Sequence, residues 1–302
     1  MKIIYELKTT SEDIGPGSMY WRKLTLDGQV SGYLAAEPDA EGCLYDVIRK
    51  TALRPTGKGL ESEESYHERI LAQITEDPTR YFQRGTITRT KEEIVDYHRD
   101  MVGTSAMITW ARDRELWPRQ VSSCTKWNST CDYWEVCANG ADIQDTTMFE
   151  QREQMGKSHL PVLSASAVAT WRDCPRKYLY AYEQRYRARR EPSHAMSFGK
   201  AVHAMIQAYH VGPETMTTPG GTVIQMTGLD RGHRIANEMA PGHDRGHARA
   251  LLLGYDAMFG ASSLRLSQTE REFFVPLTDP DSGRTSSRFV LGGYIDGVGE
   301  VE

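Results

Sequence analysis

The chain has 302 residues, of which 39% are hydrophobic, and a formal net charge of −5; it is long enough to bury a substantial core as one large domain or two small ones. No apolar run reaches membrane-spanning length, and no basic region followed by a long apolar stretch marks the N-terminus, so neither a membrane protein nor a secreted one is expected. Five cysteines, an odd number, argue against a disulfide framework and for a reducing, cytoplasmic setting, with metal ligation or burial as their uses.

Residues 2–9 read as a strand, and residues 19–34 as a helix entered through a Gly- and Pro-containing loop at 13–18. A strand is expected within 42–50 and another within 80–89. Residues 61–75 and 91–114 carry acids near their starts and apolar residues at three-to-four spacing, the pattern of amphipathic helices. The polar stretch 144–158 reads as a linker, partly helical. Ser164 or Ser166 is placed to cap a helix containing Ala167, Val168 and Trp171. Further helices are expected over 195–209 and 243–259, separated by an irregular loop or lid at 211–230, rich in Gly, Thr and Pro. Strands at 269–277 and 287–295 flank the turn-forming Asp279-Pro280-Asp281-Ser282-Gly283.

The negative balance gives no global attraction to nucleic acid, so DNA contact would have to come from local patches. One such stretch, residues 171–200, holds eight basic residues against Asp173, Glu183 and Glu191. It reads equally as a DNA-facing patch and as a solvated helix face.

The residues that carry chemistry lie at both ends. In Ile3-Ile4-Tyr5-Glu6-Leu7-Lys8 the period of two puts Glu6 and Lys8 on the same side of a strand. Asp296, in Gly293-Tyr294-Ile295-Asp296-Gly297, adds a second carboxylate. Two carboxylates suit a hard divalent cation, and an ammonium steadies an attacking water or a phosphate charge. Gln29 and Tyr33, four apart, share a helix face, and His203 closes Gly199-Lys200-Ala201-Val202-His203 on another helix. Cys124, Cys131 and Cys137 cluster, with Cys174 apart and Cys43 outside any pattern. Taken singly, each has a plain reading: a surface Glu–Lys pair, a turn aspartate, an ordinary helix face, a hydrogen-bonded histidine, small buried thiols.

Together and in order, these residues resemble the RecB-like branch of the PD-(D/E)XK nucleases, and within it the members with an iron–sulfur staple, such as AddB-type and CRISPR-associated RecB-like exonucleases and related phage nucleases. The family order is a first cysteine, Gly-x-x-x-His, Asp, Glu-x-Lys, Gln-x-x-x-Tyr and three clustered cysteines. Starting at Leu163 and passing through residue 302 to residue 1 gives Cys174, His203, Asp296, Glu6, Lys8, Gln29, Tyr33, Cys124, Cys131 and Cys137.

The resemblance implies an α/β, restriction-endonuclease-like mixed sheet flanked by helices, circularly permuted, with a helical iron–sulfur segment. Residues 1–302 would form a single nuclease domain, with 1–143 as the family's C-terminal half, 144–162 as linker and 163–302 as the N-terminal half. The break would fall at a hairpin tip, with residues 2–9 antiparallel to 288–297; alternatively the chain spans halves of tandem copies and its site forms in trans.

By the same resemblance Asp296 and Glu6 bind Mg²⁺ or Mn²⁺, with the Leu7 carbonyl as a third ligand and His203 as a further ligand or phosphate contact. Lys8 orients the water, and Gln29 and Tyr33 position the DNA strand and support the site. Cys124, Cys131, Cys137 and Cys174 bind a [4Fe–4S] cluster, with zinc as the rival since it also takes four thiolates. The implied function is a metal-dependent DNA exonuclease acting on ends or single strands, with DNA, and a helicase or recombination protein, as partners. The alternative from another class is a catalytically silent DNA-binding module whose cysteine site is structural; electron transfer has only the cysteines behind it.

Overall fold

In a computed structural model, residues 1–57, 60–126, 129–153, 158–211, 214–217 and 223–301 are described. The chain divides into two compact units: Met1–Arg89 with Pro192–Arg271 and Tyr294–Glu302, and Thr90–Glu191 with Glu272–Gly293.

The first unit holds residues 265–271 of the strand Arg265–Thr278 and 294–300 of Thr285–Glu300, followed in the mixed sheet by Lys2–Thr10, Cys43–Arg49 and Phe82–Ile87. Lys2–Thr10 pairs parallel to Cys43–Arg49, with Glu6 beside Tyr45 and Lys8 beside Val47. It pairs antiparallel to Thr285–Glu300, as expected, but through the end of that strand, from Lys2 opposite Glu300 to Tyr5 opposite Gly297. Met1 and Val301 extend this pairing, the Met1 ammonium donating to the Val301 carbonyl at 3.2 Å and the Val301 amide to the Met1 carbonyl at 3.1 Å. The alternation of the first strand does the sorting: Ile3, Tyr5 and Leu7 join a core that includes Ile70 and Ile74 of helix Glu63–Glu76, Val202, Met205 and Ile206 of His194–His210, Ala236 of Gly228–Met239 and Leu251, Leu252 and Tyr255 of His243–Phe259. This helix-flanked mixed sheet fits the restriction-endonuclease-like expectation. Asp46, fully buried beneath these helices, accepts from Arg84 at 2.6 and 2.7 Å and from Tyr5 at 3.1 Å, so its charge is paired.

The second unit packs Met101, Ile108 and Ala111 of helix Lys91–Asp113 against Val168 and Trp171 of Ala165–Asp173, with Trp117, Tyr178, Phe289 and Leu291. The short strand Val162–Leu163 runs parallel to Val290 and Leu291. Thr90 and Glu93 form a capping box at the start of the long helix, and Ser164, not Ser166, caps the shorter one.

Four expectations are corrected. The helix expected over 19–34 is two, Met19–Leu24 and Gly28–Ala36, because the Asp27 carboxylate accepts from the amides of Gln29 and Val30 at 2.8 and 3.0 Å and starts a new helix. The loop expected at 211–230 contains the strand pair Glu214–Thr217 and Val223–Met226 and the start of helix Gly228–Met239, whose Thr227–Asp230 capping box was there to be read; residues 212–213 and 218–222 lie outside the described residues. In the linker expected at 144–158 the described part holds a strand, Phe149–Gln151, paired with Tyr186–Ala188 rather than a helix; residues 154–157 lie outside the described residues. The two late strands are longer than expected, Arg265–Thr278 and Thr285–Glu300. No helix among the described residues is long and apolar enough to cross a membrane.

Candidate active site

All six residues expected for catalysis fall in the first unit and meet where two strands part. Beyond the Tyr5–Gly297 pair the Lys2–Thr10 and Thr285–Glu300 strands no longer pair, and the Asp296 side chain accepts from the Leu7 amide at 3.0 Å. It thereby satisfies a backbone donor that the ladder would otherwise leave unmade. Glu6 and Asp296 are thus brought together within one chain. For Leu7 it is the amide that is engaged with Asp296.

Glu6 is completely buried. Its Oε1 is paired with Lys8 and accepts from Gln29 Nε2 at 3.2 Å, while Gln29 also donates to the Tyr33 hydroxyl. Gln29 and Tyr33 are therefore brought to Glu6 by the Gly28–Ala36 helix that Asp27 caps. The other oxygen, Oε2, is buried with no hydrogen-bond partner. An ionised carboxylate left half-satisfied in a dry site is costly. Burial, and then the nearby Asp296 charge, push the Glu6 carboxyl up to about 8, against the pull of Lys8.

The neighbours respond in the opposite sense. Burial works against charge on Asp296, yet His203, through a 2.9 Å contact from Nε2 to Oδ2, and the Leu7 amide hold its carboxyl below the ordinary aspartate value. Burial likewise disfavours charged His203 and Lys8, but Asp296 raises the first and Glu6 raises the second. The two central carboxyls are thus shifted in opposite directions, Glu6 upward by burial and Asp296 downward by His203 and the Leu7 amide. An orphaned, buried carboxylate oxygen beside a second carboxylate is a donor set that fits a hard divalent cation.

Two residues at the site were missed in the sequence. Glu270 lies beside His203, its Oε1 4.0 Å from Nδ1, and His203, Glu270 and Asp296 offer ligand atoms all within 4.8 Å of one another. Glu270 sits at φ +48, a backbone conformation no sequence pattern announces. Gln207 donates to the Asp296 carbonyl and to Glu270 Oε1, both at 3.4 Å. It lies four residues after His203, so helical spacing was a usable signal.

The cysteines are in the second unit. Cys124, Cys131, Cys137 and Cys174 line one small cavity with Arg119, Ser123, Tyr133, Trp134 and Lys177. No three of their sulfurs lie within 4.8 Å of one another. Cys43 is elsewhere, buried in the sheet opposite Ile4. In the basic stretch, Arg187 and Arg189 pair with Glu150, Arg190 with Asp132 and Lys177 with Asp173, so it presents less unpaired charge than its sequence suggests.

No curated protein and no solved structure matches the chain. Residues 162–297, from the strand before the Ser164 helix to the residue after Asp296, match the family model of the PD-(D/E)XK nuclease superfamily.

Proposed function

We propose that this protein is a metal-dependent deoxyribonuclease that hydrolyses DNA phosphodiesters at the Glu6–Asp296–Lys8 site. The observation that carries this reading is the convergence of Glu6, Asp296, Lys8 and His203 around a buried carboxylate oxygen with no partner. Glu6 and Asp296 would hold Mg²⁺ or Mn²⁺. When bound, the cation supplies charge neutralisation at the phosphate and a more acidic water. The residues around it each have a task. Lys8 stays protonated against Glu6 and steadies the water or the phosphate oxygen. His203 and the Leu7 amide fix Asp296, and Gln29 with Tyr33 fixes Glu6; these contacts favour support of the site over direct contact with the DNA strand. Action as an exonuclease on ends or single strands, with a helicase or recombination protein as partner, follows from the resemblance to RecB-like enzymes.

The same reading includes a permuted order. The family match ends one residue past Asp296, and Glu6 and Leu7, outside it, lie beside Asp296. It also includes the four-cysteine site. Cys124, Cys131, Cys137 and Cys174 line one cavity and would offer four thiolates to a [4Fe–4S] cluster, which the resemblance favours, or to zinc.

The test is cleavage of labelled single-stranded and duplex DNA with Mg²⁺ or Mn²⁺. EDTA should stop it. Lys8→Ala should cut about 10²–10³-fold more slowly while still binding Mn²⁺, since Lys8 is not a ligand. Wild type that binds DNA and metal but cuts neither substrate would leave a silent DNA-binding module. Equal cutting by Lys8→Ala would mean the chemistry lies elsewhere.

A further inference from the structure

We propose that a cavity at the C-terminal end of helix His194–His210 is a separate ligand site, built for one nucleoside monophosphate unit, taken either as the free molecule or as part of a DNA strand. The choice of a nucleotide rests on the nuclease reading; the choice of an anion does not.

The cavity, of about 310 Å³, lies wholly in the first unit, between the end of that helix, the strand Val223–Met226, the start of helix Gly228–Met239 and the segment 259–265. His210 lines it, seven residues after His203 on the same helix and so about 10 Å further along. Among the described residues no carboxylate lines it, whereas Arg231 and Arg265 do. Arg231 is buried, and its guanidinium donates to the carbonyls of Ala208, Tyr209, Val211 and Met226. Those four bonds leave one of its five N–H groups to a ligand, and they set only carbonyl dipoles against a buried positive charge. Asp230 and Glu214, whose charges Arg231 stabilises, are bonded to Thr227 and to Arg234. A cation placed in this way favours an anion in the space beside it. The start of the Gly228–Met239 helix adds to the same field. A Cβ on Gly228 would stand 2.8 Å from the Tyr209 carbonyl, so glycine is what lets the helix begin this close to the cavity wall.

The space and its lining favour more than a bare phosphate. Tyr209 and Phe259 supply ring surface, with the Arg84 guanidinium 4.2 Å from the Phe259 ring centre. Ser262 Oγ accepts from Arg84 at 3.0 Å and from the Leu264 amide at 3.3 Å, which leaves its own hydrogen to donate to a phosphate oxygen. Gln225, exposed on its strand, offers an amide to a base edge, and Arg265, also exposed, offers a mobile cation at the mouth.

The experiment is calorimetric titration with deoxyadenosine monophosphate, inorganic phosphate and a thymidine hexanucleotide, all in EDTA so that no metal bridges the ligand to Glu6 or Asp296. Deoxyadenosine monophosphate should bind wild type. Arg265→Ala should weaken it about tenfold or more, Gln225→Ala should weaken it less, and Glu6→Gln should leave it unchanged. Circular dichroism establishes that each variant is folded. Loss of hexanucleotide binding in Arg265→Ala would show that a strand uses the cavity; hexanucleotide binding indifferent to Arg265 would leave the free nucleotide as its ligand. Inorganic phosphate binding as tightly as the nucleotide would overturn the nucleoside part. Nucleotide binding that survives Arg265→Ala and is lost in Glu6→Gln would place the ligand at the catalytic carboxylates and overturn the whole. Wild type that cuts DNA with Mn²⁺ yet binds no mononucleotide and no hexanucleotide at Arg265 would sink this inference and leave the nuclease reading standing. Arg265-dependent binding without cleavage would do the reverse.

Discussion

At the scale of single residues, Glu6 sets the behaviour of the site. Its carboxyl lies at about 8 in the folded protein against 4.5 as the ordinary value, chiefly through burial. Between those values the folded chain holds a proton that the unfolded chain has released, so this group makes stability fall as pH rises. Metal-free protein should therefore lose melting temperature from about pH 5 to pH 8 more steeply than Glu6→Gln, which has no such proton; parallel slopes in scans with EDTA would rule this out. A cation held by Glu6, as proposed, would have to displace the same proton. The rise in melting temperature given by a fixed Mn²⁺ concentration should accordingly grow over this window in wild type and stay flatter in Glu6→Gln.

At the scale of elements, the site depends on where one helix begins. Asp27 caps Gly28–Ala36, and in its first turn Gln29 donates to Glu6 and to Tyr33, four residues on. Asp27→Ala removes acceptors for two backbone amides and should cost about 1 kcal/mol of stability. It should also lower the cleavage rate more than Ser62→Ala, which removes a comparable cap from helix Glu63–Glu76, a helix without an expected catalytic residue. Equal losses of activity in the two variants at equal stability would show that helix placement does not reach the site. The strands contribute in another way. Asp296 is useful because its strand stops pairing with Lys2–Thr10 just before it, leaving the Leu7 amide for its carboxylate.

At the scale of the whole molecule, the two sets of special residues segregate. The carboxylates, Lys8 and His203 belong to one unit and the four converging cysteines to the other. A cluster there would be a staple for Thr90–Glu191, since metal binding in small segments is coupled to folding. Anaerobically purified protein should contain iron and sulfide. Cys174→Ser should lose them and become more sensitive to proteolysis within residues 90–191 than within 192–271. Stoichiometric zinc without iron would instead identify the rival site, and a variant as protease-resistant as wild type would remove the staple role.

The sequence by itself determined the parts with strong local grammar. The first strand, the long helices, a serine cap at 164 or 166 and the Glu6–Lys8 placement on one strand side follow from periodicity and capping chemistry, which act over a few residues. The ordered motif set also led to the superfamily that residues 162–297 match. The tertiary structure alone decided the rest. It brought Glu6 to Asp296 across nearly the whole chain length, and it placed Glu270 beside His203 through a left-handed backbone residue. It also withdrew solvent from Glu6, turning an ordinary strand carboxylate into one that keeps its proton. Local sequence specifies which side of a strand a residue occupies. Desolvation, strand divergence and long-range pairing depend on everything packed around it, and no short-range pattern carries them.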